Sequence, residues 1–509
     1  MKKILKDSEK FPSTFCDLFR LQVQKNPQAV AVKFKDQSLT YEELDTKSTQ
    51  LARCLKIRGL RTGQIVALAM YNCLDLITAI LGIFKSGGVY LPIDPNYPHD
   101  RIEAMLKDAQ PHFLITKSPL KTKFSEFCDR MILTNELFKR PFEGLLHPVP
   151  ADSSAYIVYT SGSTGKPKGI VVAHSALSHA ALAYQDLHPE RHHSLMIGSI
   201  SFDPSLLIIV YTLSTGGTLC LPQNKTGIDP KHPKEIIELI HKYSISLILC
   251  TPLLYSKIIH ESPFLASLRS VDLCGENIPK SLPNSHANIA PNAFLYNLYG
   301  PSEYAMGSTA AKIYDPYTKK INEITVGRPF SNNKVYILDE NFNEVLPGEK
   351  GEIFLGGPGL AKKYLNLESL TEKRFLRLSL PMIGSVRLYR SGDYGYFRSD
   401  GNIIFLGRSD RQKKILGHRV ELDEIEHVIS LHPKINKVVV TVYTDQNNQD
   451  QLIAFYSTTI KEDGELKEYL QKKLPFYMIP SKFIQVSNWP YNQNGKIDQI
   501  ALKKKYSMT

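Results

Sequence analysis

The chain lacks the features that would take it out of the ordinary aqueous interior of a cell. Its longest apolar runs, such as LDLITAILGIF at 74–84, are about half the ~20 residues a membrane span requires. The opening MKKILKDSEKFPSTF carries lysines but no apolar stretch behind them, so it does not read as a secretory signal. Seven cysteines (Cys16, Cys54, Cys73, Cys128, Cys220, Cys250 and Cys274) are odd in number and widely spaced, with no C-x-x-C pair. That argues against a disulfide framework or zinc site and for free thiols in a reducing compartment. The net charge is +12, yet no basic block interleaved with aromatics occurs, and no nucleic-acid partner is expected. A solvated basic surface is the plain reading, and attraction to an acidic protein the second. Internal repeats, low-complexity tracts and heptads are also missing. What remains, 42% hydrophobic and 22% charged over 509 residues, is the composition of a globular protein of roughly two to four domains. The expectation is a cytoplasmic enzyme without a membrane partner.

Periodicity predicts helix, hairpin, helix over 15–60, with Thr40 and Glu43 forming a capping box at the second helix. A β-α-β-α rhythm follows, with strands near 64–70, 89–93 and 112–116, a less regular stretch at 117–150, and a second α/β unit with strands near 194–199, 218–221, 246–249 and 270–274. Short strands and turns over 326–407 read as a small β subdomain. The polar RSDRQKKILGHR, starting at Arg408, reads as a linker to an α+β domain. The expected fold is α/β. A large N-terminal domain, 1–408, holds two layered α/β subdomains and the small β subdomain, and a smaller, mobile α+β domain occupies 409–509.

The chain is organised around YTSGSTGKPKG at 159–169. Apolar residues lead into and out of it, as in a loop between two strands. Glycines allow close approach of backbone to a ligand, hydroxyls and N–H groups point at anionic oxygens, and Lys166 and Lys168 add charge. It is not a Walker loop, because Gly165-Lys166 is followed by Pro167. The plain alternative is a Gly/Ser-rich surface turn.

Further segments accompany the loop: LTYEEL at 39–44, FKSGGVYLPID at 84–94, FDPS at 202–205, NLYGPSE at 297–303, GEIFLGGPGLAKKYL at 351–365, YRSGD at 389–393, GRSDRQKKILGHRVELDEIE at 407–426, LPFYMIP at 474–480 and NGKID at 494–498. In this order they resemble the adenylate-forming superfamily, and within it the amino-acid adenylation domains of non-ribosomal peptide synthetases, from about Phe15 to Lys503. The resemblance implies ATP and Mg2+ as cofactors and formation of an aminoacyl-adenylate. That chemistry needs no protein nucleophile, only positioning and charge stabilisation around phosphate. It implies a phosphate grip by Thr160, Ser161, Gly162, Ser163, Thr164, Gly165 and Lys168, with Glu303 as the magnesium ligand and Tyr299 packing on adenine. Asp393 would accept from the ribose hydroxyls, Arg408 would contact phosphate and ribose, and Lys496 would bridge the substrate carboxylate and α-phosphate. Lys496, Glu303, Lys168 and Thr160 are thus the expected catalytic set. Without the resemblance, Lys496 is a solvated loop lysine, Tyr299 a core tyrosine and Asp393 a turn residue. Transfer to a phosphopantetheine thiol would follow, with the C-terminal domain swinging about Asp410 to exchange Lys496 for residues 411–419.

Carried over in the same way, Asp203 pairs with a substrate α-amino group. The side-chain pocket comprises Pro204, Leu207, Leu249, Asp272, Cys274, Leu298, Met306 and Gly307. Mostly aliphatic walls imply a small or medium apolar substrate. Asp272 departs from this, facing a cationic or hydroxylated group or satisfying local donors. Tyr304 is bulky and is expected to narrow the pocket. Leu416 replaces a usual arginine. The chain leaves no room for a carrier domain after Thr509, so a separate carrier protein is expected. Alternative readings are a D-alanine:D-alanyl carrier protein ligase, with which Cys-Gly-Glu at 274–276 is also similar, an acyl- or aryl-CoA ligase, and a non-catalytic nucleotide-binding scaffold.

Overall fold

The computed structural model describes residues 13–134, 142–162, 166–223, 233–262, 264–381, 383–445, 450–458, 463–491 and 497–506. They pack as two units. The first comprises Met1–Pro95, Ala109–Val158 and Gly169–Ser409, and the second Asn96–Asp108, Tyr159–Lys168 and Asp410–Thr509. The C-terminal border thus falls within two residues of the sequence-based boundary, but two segments expected in the N-terminal domain cluster with the second unit.

The first unit is built on two sheets of mainly parallel strands. In the ten-stranded sheet, His193–Leu195, Leu247–Cys250, Ser270–Cys274 and Phe294–Tyr299 are parallel neighbours, and Thr309–Asp315 lies antiparallel beside the last of these. In the seven-stranded sheet, Val89–Ile93, Ile65–Ala69 and Phe113–Thr116 are parallel neighbours. A parallel sheet buries both faces, and alternate residues of one strand therefore serve different cores. Ile248, Cys250, Val271 and Leu273 join one apolar cluster. Leu247, Leu249, Tyr296 and Leu298, of opposite parity, join another with the helix Asp203–Thr215. That helix is apolar on almost every side and buried from Ser205 to Thr215, and ends at Gly216 in a left-handed conformation, φ 81°. The small β subdomain is a five-stranded sheet in which Gly351–Gly356, Gly384–Phe397 and Ile403–Arg408 are antiparallel neighbours. The capping box at Thr40 is present, with both reciprocal hydrogen bonds.

Three expectations are corrected. The stretch expected to be irregular contains a 3-10 helix, Ser118–Arg130, and a strand, Met131–Leu133, which pairs parallel with Phe113–Thr116. The polar stretch read as a linker is mostly a hairpin of Gln412–Ile415 and His418–Glu421, turning through Leu416 and Gly417 at φ 50° and 78°. Polar composition misled here because the residues in the middle of the ribbon's first strand are exposed. Gln412 and Ile415 are buried while Lys413 and Lys414 are exposed. The strand expected over 194–199 is also shorter, stopping at Leu195.

The rest of the second unit is α+β. The strands Ile435–Thr444 and Asp450–Thr458 are antiparallel, Lys482–Gln485 runs parallel to the latter, and the helix Leu422–Ser430 packs on them. No helix among the described residues is long and apolar enough to cross a membrane.

Three histidines of the first unit are buried in neutral form. His174 meets Phe84 edge-on, and neither ring nitrogen has a hydrogen-bond partner among the described residues. His286 lies 2.6 Å from the Tyr255 hydroxyl and 2.8 Å from the Ala293 carbonyl, and His192 lies 2.9 Å from Ser246 Oγ. Burial pushes each down to about 4 from an ordinary 6.5. The unfolded chain therefore takes up protons between pH 6.5 and 4 that the folded chain refuses. Stability is full above pH 6.5 and falls as pH drops towards 4, by about 2 kcal/mol per histidine at pH 5. The expected outcome is a markedly lower thermal midpoint at pH 5 than at pH 7.5 by calorimetry, with the pH dependence reduced in His174→Leu.

Candidate active site

The first unit holds a set of buried carboxylates, Asp203, Asp272, Glu303 and Asp393. Tyr299 ends the strand Phe294–Tyr299, and its hydroxyl donates to Asp393 Oδ2 at 2.5 Å. Asp393 sits in the long strand Gly384–Phe397 directly across from Arg408. Arg408 Nη1 donates to Asp393 Oδ1, and its Nη2 to the Ser391 carbonyl at 3.1 Å. The backbone N–H of Asp393 is bound by Ser391 Oγ at 3.0 Å, and that hydroxyl donates to Ile353 O at 2.6 Å. Burial, and then the Asp393 charge, push the Tyr299 phenol far above its usual range. Tyr299, Asp393 and Arg408, expected at the nucleotide site, are therefore brought together as one hydrogen-bonded set.

Glu303 lies in a single 3-10 turn, Ser302–Tyr304, and is fully buried. The Tyr364 hydroxyl donates to its Oε1 at 2.7 Å, and its backbone carbonyl accepts from Ala361 N–H at 2.9 Å. The turn runs straight into Ala305 and Met306, both at positive φ (33° and 74°). Non-glycine residues hold such a conformation only where the surroundings impose it. Here Gly300 and Gly307 approach so closely that a Cβ on Gly300 would lie 2.7 Å from the Gly307 Cα. Tyr304, expected to narrow the pocket, is fully buried in the apolar cluster that holds Leu249, Leu298 and Met306. Its hydroxyl donates to the Gly356 carbonyl at 2.7 Å and its ring packs on Gly359.

Asp203 opens the helix Asp203–Thr215, with Pro204 behind it, and is 9% exposed. One turn on, Leu207 joins the apolar cluster that also holds Leu249, Leu298, Met306 and, half-buried, Cys274. Strand register puts Leu249 opposite Asp272 and Cys274 opposite Leu298. Gly307 lies against Phe330, which packs on the same cluster. Asp272 is completely buried. Its Oδ2 accepts from the Tyr184 hydroxyl and lies 2.7 Å from His188 Nε2, and its Oδ1 accepts from Ser270 Oγ at 2.8 Å.

In the second unit, Thr160 ends its strand with a buried hydroxyl that has no partner among the described residues. Ser161 Oγ donates to the Arg419 carbonyl at 2.7 Å and accepts from Glu421 N–H at 3.1 Å. The Gly162 N–H donates to Glu424 Oε2 at 3.0 Å, while Arg101 holds Oε1 at 3.1 Å. Burial pushes the Glu424 carboxyl up, against the opposing pull of Arg101 and the Gly162 N–H. A loop N–H that takes a carboxylate is chemically competent to take a phosphate oxygen, and Thr160 has a hydroxyl left over for one. Lys168, buried, begins the strand Lys168–Ala173. Asp410 begins the C-terminal segment of this unit, its carboxylate 3.3 Å from Gln412 N–H. Ser163, Thr164, Gly165 and Lys496 lie outside the described residues. No group of three or more His, Cys, Asp or Glu side chains able to hold a metal occurs among the described residues. The single buried carboxylate of Glu303 fits magnesium, which takes one or two carboxylates and completes its shell with phosphate and water.

Residues 19–365 match the family described as AMP-binding enzyme, and residues 424–496 its C-terminal domain. The chain belongs to the AMP-binding enzyme family. Among curated relatives it is 37% identical over 495 residues to bacitracin synthase 2 of Bacillus licheniformis, covering 96% of this chain and 18% of that protein. Across such relatives the chain spans a fifth or less of their length. Among solved structures, an artificially fused adenylation–PCP di-domain NRPS from Klebsiella oxytoca superposes with a TM-score of 0.83 at 25% identity, covering 97% of each chain. The o-succinylbenzoate CoA synthetase of Bacillus subtilis shares the fold at a TM-score of 0.83 and 22% identity, with 96% of this chain and 98% of that one covered.

Tyr364, Tyr184 and His188, which hold Glu303 and Asp272, escaped the sequence reading. Tyr364 lies in the quoted segment AKKYL, but nothing in a lone tyrosine says which distant carboxylate it meets. In the nucleotide-free protein, the Asp393–Arg408 pair is expected to couple by about 1–3 kcal/mol. The measurement is a urea-unfolding double-mutant cycle of Asp393→Asn and Arg408→Gln.

Proposed function

We propose that the protein activates a free amino acid with ATP as the aminoacyl-adenylate, releases pyrophosphate, and then passes the aminoacyl group to the phosphopantetheine thiol of a carrier protein. The observation that carries this reading is Asp203, a buried carboxylate one helical turn before an apolar side-chain cluster. That arrangement suits an α-ammonium at the carboxylate and a side chain in the cluster. Similarity to peptide synthetases, and to a structure in which an adenylation domain is fused to a carrier, supports the same reading.

In this mechanism the amino-acid carboxylate attacks the α-phosphorus and the bond to pyrophosphate breaks. Asp203 orients the nucleophile by its ammonium. The 160–168 loop, with Lys168, takes up the charge of the departing phosphates. Asp393 keeps lone pairs for the ribose hydroxyls beyond those used by Tyr299 and Arg408, because a carboxylate offers about four acceptor sites. Glu303 would hold magnesium, which supplies charge neutralisation at the phosphates. Lys496 is assigned by its motif to bridge the carboxylate and the α-phosphate. Asp410 is the assigned hinge, which withdraws Lys496 before thiol transfer.

The test is ATP–pyrophosphate exchange against L- and D-amino acids and matched carboxylic acids lacking the amine. Exchange with one amino acid is expected, abolished in Glu303→Ala. Losing the charged contact in Asp203→Ala should lower kcat/KM by about 10- to 100-fold for the amino acid and leave the amine-free acid unaffected. D-Alanine as best substrate would identify a D-alanine:carrier ligase. Activity only with amine-free acids would identify an acyl- or aryl-CoA ligase. ATP binding without any exchange would identify a scaffold. Because the chain carries a net charge of +12, transfer to an acidic carrier is expected to slow as ionic strength rises. Rates unchanged by salt would rule out electrostatic steering.

A further inference from the structure

We infer that the hydrogen-bonded network Tyr184–Asp272–His188 closes the inner end of the substrate side-chain pocket, so that the preferred amino acid has a compact apolar side chain. This deepens the amino-acid reading above and rests on it.

The direction of the pocket follows from two elements. Ser270, Asp272 and Cys274 alternate along one strand and so face the same side. Cys274 is half-buried, whereas Asp272 and Ser270 are sealed from solvent. The strand thus leads inward from Cys274 to Asp272, a step of about 7 Å. On the facing helix, Asp203, Leu207 and Tyr211 recur every fourth residue and share one stripe, at about 6 Å per step. A substrate anchored by its ammonium at Asp203 therefore passes Leu207 and then meets the ring of Tyr211. Tyr211 packs edge-on to Tyr184 at 4.9 Å, and its hydroxyl is bound to the His188 and Glu190 carbonyls at 3.0 Å each. Tyr296 closes the same region, edge-on to His188 at 5.5 Å.

A carboxylate at the end of an otherwise aliphatic pocket looks like a receptor for a cationic side chain. The hydrogen bonds contradict that. Both oxygens of Asp272 already accept from protein donors, namely Tyr184, His188 and Ser270. A ring nitrogen facing a carboxylate carries the proton, so His188 is a donor there. Three of the about four acceptor sites of the carboxylate are thus taken, so an ammonium, with three donors, would find at most one and would leave its other N–H groups buried and unpaired among apolar walls. The network behaves as a polar stopper whose pocket side is the aromatic rings, and selection falls to the aliphatic walls.

The prediction is read in a pyrophosphate-exchange panel of apolar, hydroxylated and cationic amino acids, together with their amine-free counterparts. The wild-type protein is expected to favour an apolar side chain over lysine, ornithine and arginine by at least 100-fold in kcat/KM. Tyr184→Phe removes one donor and frees an acceptor on Asp272, and that ratio is expected to fall at least tenfold. Tyr184→Phe combined with Asp272→Asn should remove the gain for cationic substrates. Ser270→Ala frees the other oxygen and is read in the same way should Tyr184→Phe fold poorly. A wild-type preference for a cationic or hydroxylated amino acid overturns the inference. So does an equal loss for every substrate in variants with unchanged thermal midpoints, which is what a purely structural network gives. If only amine-free acids are activated, with the same apolar preference, the amino-acid reading falls and the closed pocket stands.

Discussion

A parallel sheet has no solvent face, and the architecture of the first unit follows from that constraint. Each central strand of the larger sheet divides its residues between two cores, with Val271 and Leu273 on one side and Ser270, Asp272 and Cys274 on the other. Helices must then be apolar enough to lie inside, as Asp203–Thr215 is. Polar chemistry is pushed to where strands and helices begin or end. Tyr299 ends one strand, Cys274 ends another, and Asp203 opens a helix. The functional side chains are therefore few, buried and held from several directions.

The cost of burying carboxylates is met in a recurring way. Asp393, Glu303 and Asp272 each accept from a tyrosine hydroxyl, those of Tyr299, Tyr364 and Tyr184. A phenol brings a donor and a rigid ring without adding charge, so it fixes the carboxylate and leaves its charge available. What differs is the rest of each shell. Asp393 has a guanidinium and Asp272 has an imidazole and a hydroxyl. Asp393 pairs with Arg408 across neighbouring strands of the β subdomain. Asp272 is sealed from solvent with three of its about four acceptor sites taken.

The second unit shows a related economy. The backbone of the glycine-rich loop does not sit bare: Glu424 takes the Gly162 N–H, and the backbone of Arg419 takes the Ser161 hydroxyl. These partners come from the hairpin and the helix that follow Asp410. The polar stretch 408–421 is thus largely a two-stranded ribbon whose backbone meets the loop, not an unstructured connection.

Much was legible from residue order alone. The α/β class, the glycine loop between two strands, the helix opened by Asp203 and ended by glycine, the capping box at Thr40 and the α+β character of the C-terminal region all depend on local periodicity, turn chemistry and motif order. Those are properties of neighbouring residues, so the sequence determined them. Membership of the AMP-binding family was legible for the same reason, since the motifs stand in the order in which the fold uses them. Tertiary structure alone decided which distant groups meet. Tyr364 reaches Glu303 across 61 residues, Tyr184 reaches Asp272 across 88, and Tyr299 reaches Asp393 across 94. It also packed the Tyr304 ring against Gly359. A hydrogen bond depends on positions within about 3 Å in space, and spacing along the chain carries no record of them.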